Sequence, residues 1–222
     1  MELILVRHGE SEANFANYWT GWLDVDLTDK GSQQAREAGR RIKEAGLTID
    51  CTFESVLKRS IKTAQLVLEE ANASFVPEIK TWRLNERHYG ALVGKNKAEI
   101  AQQFGDEQVK KWRRGFHEVP PLVDSNHFDR RYNNLDSHLI PKGESLSMTS
   151  KRVLPLWQSQ IVPRLKDQQT ILVCGHGNSL RALIQYLEAV PEEHVDEIKV
   201  PNATPILYHF NSDFMIESKV EL

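Results

Sequence analysis

An α/β fold is predicted, with a mostly parallel central sheet, helices on both faces, and a helical and loop insertion acting as a lid. Three observations predict it. Short apolar runs of strand length alternate with segments of helical period along nearly all of the 222 residues. Two of those runs, Leu3-Ile4-Leu5-Val6 and Thr170-Ile171-Leu172-Val173-Cys174, read as buried strands that each end in His-Gly and lead toward a helix. The middle of the chain departs from the alternation and becomes charged, aromatic and loop-like.

Each element has its own signature. The first strand spans about Glu2 to Val6 and delivers Arg7-His8-Gly9-Glu10-Ser11 to its C-terminal end, the edge where ligands sit in open α/β sheets. A polar, aromatic segment follows, with Asn14, Tyr18, Trp19, Thr20, Gly21 and Trp22. Thr28 is the expected N-cap of a helix running to about Ala45, with Ala35, Ala38 and Ile42 at helical spacing and Gly46 at its end. The second strand is read over about Ile49 to Glu54. A helix from about Arg59 to Ala71 carries Ile61, Ala64 and Leu68 on one face, and a third strand covers about Phe75 to Ile79. Trp82 to Pro121 is helical in patches. Pro120 to Lys142 reads as loop, with Pro120-Pro121, Asn126, Asn133-Asn134 and Pro141-Lys142-Gly143. Residues 82–142 are taken as a lid inserted in a single domain of residues 1–222. Leu146, Val153, Leu156, Trp157, Ile161 and Leu165 mark a long amphipathic helix with a bend expected near Pro155. After the second His-Gly strand come a helix from Asn178 to about Ala189 and a strand from Pro205 to Phe210. Phe214 to Glu217 is expected to hairpin back onto that strand.

Composition removes several function classes. The 28 basic and 31 acidic residues leave a net charge of −3, so no global basic field points to nucleic acid. The N-terminal apolar run is too short for a signal peptide or a membrane span, and a cytoplasmic protein with no membrane partner is expected. Cys51 and Cys174 lie in apolar runs and are read as buried, reduced thiols.

The paired His-Gly strand ends carry the chemistry. A core histidine accounts for one such site but much less well for two. Neutral imidazole is a capable nucleophile toward phosphorus. A phosphoryl group in transfer spreads negative charge over its oxygens, and arginine forks suit that charge. Arg7 stands beside His8, and Arg59 opens a helix whose N-terminus adds N–H donors. His176 can donate to the same oxygens if protonated. Glu86, in Asn85-Glu86-Arg87-His88-Tyr89-Gly90, is a candidate proton donor for the leaving oxygen. Lys97 and Lys110-Lys111-Trp112-Arg113-Arg114 lie in the lid, where cations favour a small polyanion. Metal ligation is the chief rival for two histidines and a carboxylate, but neighbouring arginines repel a divalent cation and no metal is expected. Ser11 and Ser179 follow the histidines without forming a nucleophile elbow.

Several separate blocks resemble the cofactor-dependent phosphoglycerate mutases of the histidine phosphatase superfamily. They are RHGESEAN at 7–14, TGWLDVDLTDKG at 20–31, NERHYGALVGKNK at 85–97, GDEQVKKWRRGFHEVPP at 105–121 and GHGNSLRAL at 175–183. RHG alone marks the superfamily; ERHYG and WRRGF point to the mutase branch. The resemblance covers most of the chain and is least clear over 122–142 and after Phe210.

The resemblance implies a mutase that interconverts 3-phosphoglycerate and 2-phosphoglycerate in glycolysis and gluconeogenesis. His8 would be the phosphorylated nucleophile and Glu86 the proton donor and acceptor. Arg7, Arg59 and His176 would hold the transferring group, with Asn14 and the backbone of Gly177 assisting. Thr20, Gly21, Arg87, Tyr89, Lys97, Arg113, Arg114 and Asn178 would hold the substrate's carboxylate and its other phosphate. 2,3-Bisphosphoglycerate would prime His8, and a homodimer or homotetramer is implied. Three departures from the family pattern stand out. Only twelve residues follow Phe210, so the polar tail of longer members is expected to be absent. Asn202-Ala203 stands where a Thr-Gly pair is usual, and the 122–142 loop is short. A phosphatase acting on small phosphorylated metabolites through the same histidines is the alternative. The Glu86–Lys97 and Trp112–Arg114 blocks distinguish the two, because a simple phosphatase does not need them. A phosphate-binding regulatory module is disfavoured, since binding needs no nucleophile.

Overall fold

The computed structural model describes residues 1–124 and 129–222. Residues 125–128, including the expected loop residue Asn126, lie outside that description. Among the described residues the strands are β1 (Glu2–Arg7), β2 (Cys51–Glu54), β3 (Glu78–Lys80), β4 (Ile171–Gly175), β5 (Ile206–Phe210) and β6 (Ile216–Glu221). They form one sheet in the order β3-β2-β4-β1-β5-β6. The first four are mutually parallel; β5 runs antiparallel to β1, and β6 antiparallel to β5. The helices are α1 (Glu12–Phe15), α2 (Asp29–Glu44), α3 (Lys58–Glu70), α4 (Lys97–Phe104), α5 (Asp106–Arg114), α6 (Leu146–Leu156), α7 (Val162–Lys166) and α8 (Gly177–Leu187). None among the described residues is long and apolar enough to cross a membrane.

Alternation along β1 builds two cores. Leu3 and Leu5 pack with Val153, Leu156, Trp157, Leu180 and Leu183 of α6, the turn after it, and α8. Ile4 and Val6 face the other way, onto Ala38 and Ile42 of α2 and Val67 and Leu68 of α3. A strand buried on both faces reads as the continuous apolar run seen in the sequence. Cys51 and Cys174 are buried free thiols, one in β2 and one in β4.

Thr28 caps α2 as expected, its hydroxyl accepting from the Gly31 amide at 3.0 Å. The N-terminus of α2 lies directly on the loop after β1: a Cβ on Gly9 would stand 2.1 Å from the Gly31 carbonyl oxygen, so only glycine fits there.

Several boundaries differ from those read in the sequence. The third strand is three residues long and starts at Glu78, not Phe75. Ala73 and Val76 turn inward onto the α2/α3 core, Phe75 is left exposed, and Pro77 has no N–H to give a ladder. The long helix is interrupted not at Pro155 but just beyond it, by a π turn over Trp157–Ile161. Pro163 follows and cannot donate back along the helix. α8 ends at Leu187, short of Ala189, which is left-handed at φ +49°. The final hairpin strand starts at Ile216, because Phe214 lies in the turn at φ +65°, and it runs on to Glu221.

Candidate active site

Register creates the site. Arg7 of β1 pairs with Gly175 of β4, so the residues that follow, His8 and His176, emerge side by side at the C-terminal sheet edge. Their ring centroids are 5.0 Å apart, and the His8 amide donates to the Gly175 carbonyl at 3.0 Å. The switch in strand order places this pair where α/β sheets bind ligands.

His8 Nδ1 lies 2.7 Å from the Gly9 carbonyl oxygen. A carbonyl only accepts, so Nδ1 carries the proton and Nε2 presents a lone pair. Burial, and then the charges of Arg59 and Arg7, hold the ring well below the ordinary histidine range. His8 is thus neutral, with its Nε2 lone pair free of the Gly9 contact. His176 is fully buried and pushed down by the same kinds of forces, burial first and Arg59 second. It is neutral in this site, whereas the sequence reading made its donation depend on protonation.

Glu86 follows β3 and a short 3₁₀ turn over Trp82–Leu84. Its Oε1 accepts from the Asn178 amide at the start of α8 (3.0 Å) and from the Arg87 amide (2.9 Å). Its carbonyl oxygen accepts from Trp22 Nε1 at 2.6 Å and Arg152 Nη2 at 3.0 Å. Arg152 is paired with Glu144 at 2.7 Å, both nearly buried, so a desolvated ion pair fixes the strand-end loop.

The cations converge from separate elements. Arg59, near the start of α3, donates to the carbonyls of Leu23 (2.8 Å) and Gly21 (2.9 Å), and burial lowers it to about 10. Arg7 donates to the Val200 carbonyl at 2.9 Å, while its buried Nε has no hydrogen-bond partner among the described residues. Val109 and Trp112 bury one face of α5 against Trp19, Leu92 and Ile100, which leaves Arg113 and Arg114 facing the cavity. Lys97, the first residue of α4, is lowered to about 8 by burial and then by Arg113 and Arg7.

The resulting cavity, about 110 Å³, is lined by Arg7, His8, Asn14, Tyr18, Thr20, Gly21, Arg59, Glu86, Tyr89, Lys97, Arg113, Arg114, Gly177, Asn178 and Arg181. All the site residues read from the sequence line it except two. His176 sits behind His8. Arg87 turns away, its guanidinium donating to the carbonyls of Glu144, Gly115 and Glu118.

Tyr18 and Arg181 line the cavity without having been singled out. Arg181 is three residues after Asn178, on the same face of α8, and donates to Asn178 Oδ1 at 2.6 Å. That spacing within GHGNSLRAL was the available signal. Six cations thus face one carboxylate, Glu86. Among the described residues none of the six forms an ion pair within 4.0 Å. Such a site can bind a small polyanion, offer a nucleophile to phosphorus and move a proton.

The chain belongs to the histidine phosphatase superfamily: the family model "Histidine phosphatase superfamily (branch 1)" matches residues 3–133 and 122–215. A 2,3-bisphosphoglycerate-dependent phosphoglycerate mutase of Streptococcus pneumoniae (strain Hungary19A-6) is 48% identical over 227 aligned positions, covering 100% of this chain and 99% of the relative. Among solved structures, a mycobacterial glucosyl-3-phosphoglycerate phosphatase in complex with VO3 aligns with a TM-score of 0.77 at 21% identity, covering 99% of this chain and 96% of that one. A putative α-ribazole-5'-P phosphatase from Escherichia coli aligns with a TM-score of 0.69 at 24% identity, covering 100% and 95%. The two structural likenesses speak to the fold alone.

Proposed function

We propose that this protein is a 2,3-bisphosphoglycerate-dependent phosphoglycerate mutase, interconverting 3-phosphoglycerate and 2-phosphoglycerate in glycolysis and gluconeogenesis. The observation that carries the reading is the cluster of six cations without carboxylate partners around a neutral, tautomer-fixed His8. The full-length pneumococcal relative supports the choice of mutase over phosphatase.

The donors fit a bisphosphorylated acid: two buried nitrogens, Arg7 Nε and His176 Nδ1, lack partners beside His8. When bound, 2,3-bisphosphoglycerate supplies the phosphoryl group that primes His8. The His8 Nε2 lone pair forms the bond to phosphorus as the bond to the leaving oxygen breaks. Arg7, Arg59 and His176 hold the phosphoryl oxygens, with Asn14 and the Gly177 amide beside them. Glu86 gives its proton to the leaving oxygen. In the return step it removes a proton from the substrate hydroxyl that attacks phosphohistidine. Thr20, Gly21, Tyr89, Lys97, Arg113, Arg114 and Asn178 anchor the carboxylate and distal phosphate, with Arg181 added to that set. Arg87 acts indirectly, tying the 115–118 turn below Arg113 and Arg114 to the Glu86 loop.

Residues 82–142 act as a lid within one domain. The protein works in the cytoplasm as a homodimer or homotetramer on small phosphoglycerates, with no nucleic-acid, membrane or metal partner. The test is a mutase assay with and without added 2,3-bisphosphoglycerate, repeated in EDTA. Activity is expected to depend on the bisphosphate and to survive chelation. Loss in EDTA with restoration by a divalent metal would overturn the cationic account.

A further inference from the structure

His176 presents a bookkeeping problem that its neighbour Ser55 solves. Glu54, the last residue of β2, pairs with Cys174 of β4, so Ser55 follows its strand end beside the place where His176 follows Gly175. Ser55 is fully buried, and its Oγ lies 2.7 Å from His176 Nε2. The same Oγ accepts from the Leu57 amide at 3.2 Å. That amide belongs to the N-cap residue of α3, the helix that carries Arg59.

A hydroxyl has one proton and two lone pairs. Leu57 N–H occupies one lone pair. If His176 Nε2–H filled the other, the Ser55 proton would have no acceptor among the described residues, and Nδ1 would be a buried bare lone pair. Such a lone pair would face the oxygens of an anion and repel them. If Ser55 O–H donates to Nε2 instead, every Ser55 group is satisfied. Nδ1 then carries the ring proton and, like Arg7 Nε, is a buried donor in search of an oxygen.

We propose that Ser55 is a positioning residue: its hydroxyl donates to Nε2 of His176, holds that ring as the Nδ1–H tautomer, and so makes it a neutral donor to the phosphoryl group on His8. The inference rests on the proposed phosphohistidine chemistry for its catalytic meaning, but the tautomer itself is a property of the ligand-free protein. Burial and the neighbouring arginines keep the ring uncharged, so the tautomer decides whether it attracts or repels the anion. Ser55 Oγ is the hydrogen-bond partner of one ring nitrogen, and among the described residues the other, Nδ1, makes no hydrogen bond.

The experiment is a two-bond ¹H–¹⁵N correlation spectrum of ring-labelled protein, in which the two neutral tautomers give different patterns. The eight histidines are sorted by the signals missing from His176→Asn. The wild-type spectrum is expected to show His176 as Nδ1–H. In Ser55→Ala the ring is expected to populate Nε2–H, and labelling of His8 by 2,3-bisphosphoglycerate should slow by about 10²-fold, the lower end of what loss of one preorganised donor costs. A wild-type ring protonated at Nε2 overturns the proposal without any variant. An Nδ1–H ring that persists in Ser55→Ala also overturns it, as does wild-type labelling of a variant whose tautomer has changed. Wild-type protein that takes no label on His8 would instead sink the proposed function, whatever the tautomer.

Discussion

At the scale of single residues, Glu86 is held at four points before any ligand arrives: two amides on its carboxylate, and Trp22 and Arg152 on its carbonyl. That fixation keeps the carboxyl group in place when its ionisation is removed. Glu86→Gln should therefore bind phosphoglycerate nearly as well and turn over roughly 10²–10⁴-fold more slowly, the scale of a general acid–base group. Steady-state kcat and KM separate the two effects, and near-normal turnover would take Glu86 out of the mechanism. Residue identities were legible in the sequence because RHG, ERHYG, WRRGF and GHG each sit next to a strand or helix end. Side-chain direction was not. Arg87 adjoins Glu86 in the chain, yet its guanidinium serves three carbonyls across the 115–144 region. Ala203 shows the same limit. It holds φ +46°, where glycine is usual, at a cost of about 1–2 kcal/mol. Its amide still reaches the Arg7 carbonyl at 2.8 Å, and Asn202 Nδ2 reaches the His8 carbonyl at 2.7 Å.

Among the elements, α5 has the most work per residue. One face packs Val109 and Trp112 into a small core with Trp19, Leu92 and Ile100, and its last turn sets Arg113 and Arg114 on the cavity. Its outer contact, Lys110 with Asp196 at 3.1 Å, is exposed and contributes no more than about 1 kcal/mol. The apolar face, not the ion pair, places the arginines. Arg113→Ala with Arg114→Ala should accordingly leave the fold intact, raise KM for phosphoglycerate and lower mutase activity. Phosphorylation of His8 by a small donor should suffer less. Equal loss of both activities would mean that the pair supports the fold. Strands buried on both faces were easy to read, since period and apolarity agree. β3 was misread because Phe75 is apolar but solvent-facing, and only the tertiary turn at Ala73–Val76 reveals that. The π turn was invisible because helical spacing survives it.

For the whole molecule, buried histidines tie stability to pH. His8, His88 and His176 are all lowered, in each case chiefly by burial. Unfolded imidazoles take up protons below about pH 6.5, whereas His8 and His176, held well below that range, stay neutral in the fold and His88 takes up its proton later than it would unfolded. The unfolded state then binds more protons, so stability falls as pH falls, with a slope that grows toward about 1.4 kcal/mol per pH unit for each ring that stays neutral as the pH passes below the unfolded pKa. Glu54 acts oppositely. Burial raises it, so the folded state takes up its proton first. His194, raised by its hydrogen bond to Glu197, also opposes the trend but is exposed and screened. Three rings against these two leave a net uptake by the unfolded state. Urea midpoints should drop between about pH 7 and about pH 5.5. A flat profile over that interval would show that the rings protonate within the native state.

The cations gathered around His8 are held out of water, and burial first, with neighbouring cations adding to it, lowers Arg59 and Arg181 to about 10 and Lys97 to about 8. An anion that fits binds the folded chain and not the unfolded one, adding about 2.7 kcal/mol at a concentration 100 times its dissociation constant. Inorganic phosphate should raise the melting temperature more than chloride at matched ionic strength. Equal midpoints in the two salts would mean that the protein balances these charges by itself. The lifetime of the folded chain is then coupled to the metabolite pool. Phosphoglycerates are expected to slow unfolding and limited proteolysis as their concentration rises, so the supply of substrate would also set how long each folded chain persists.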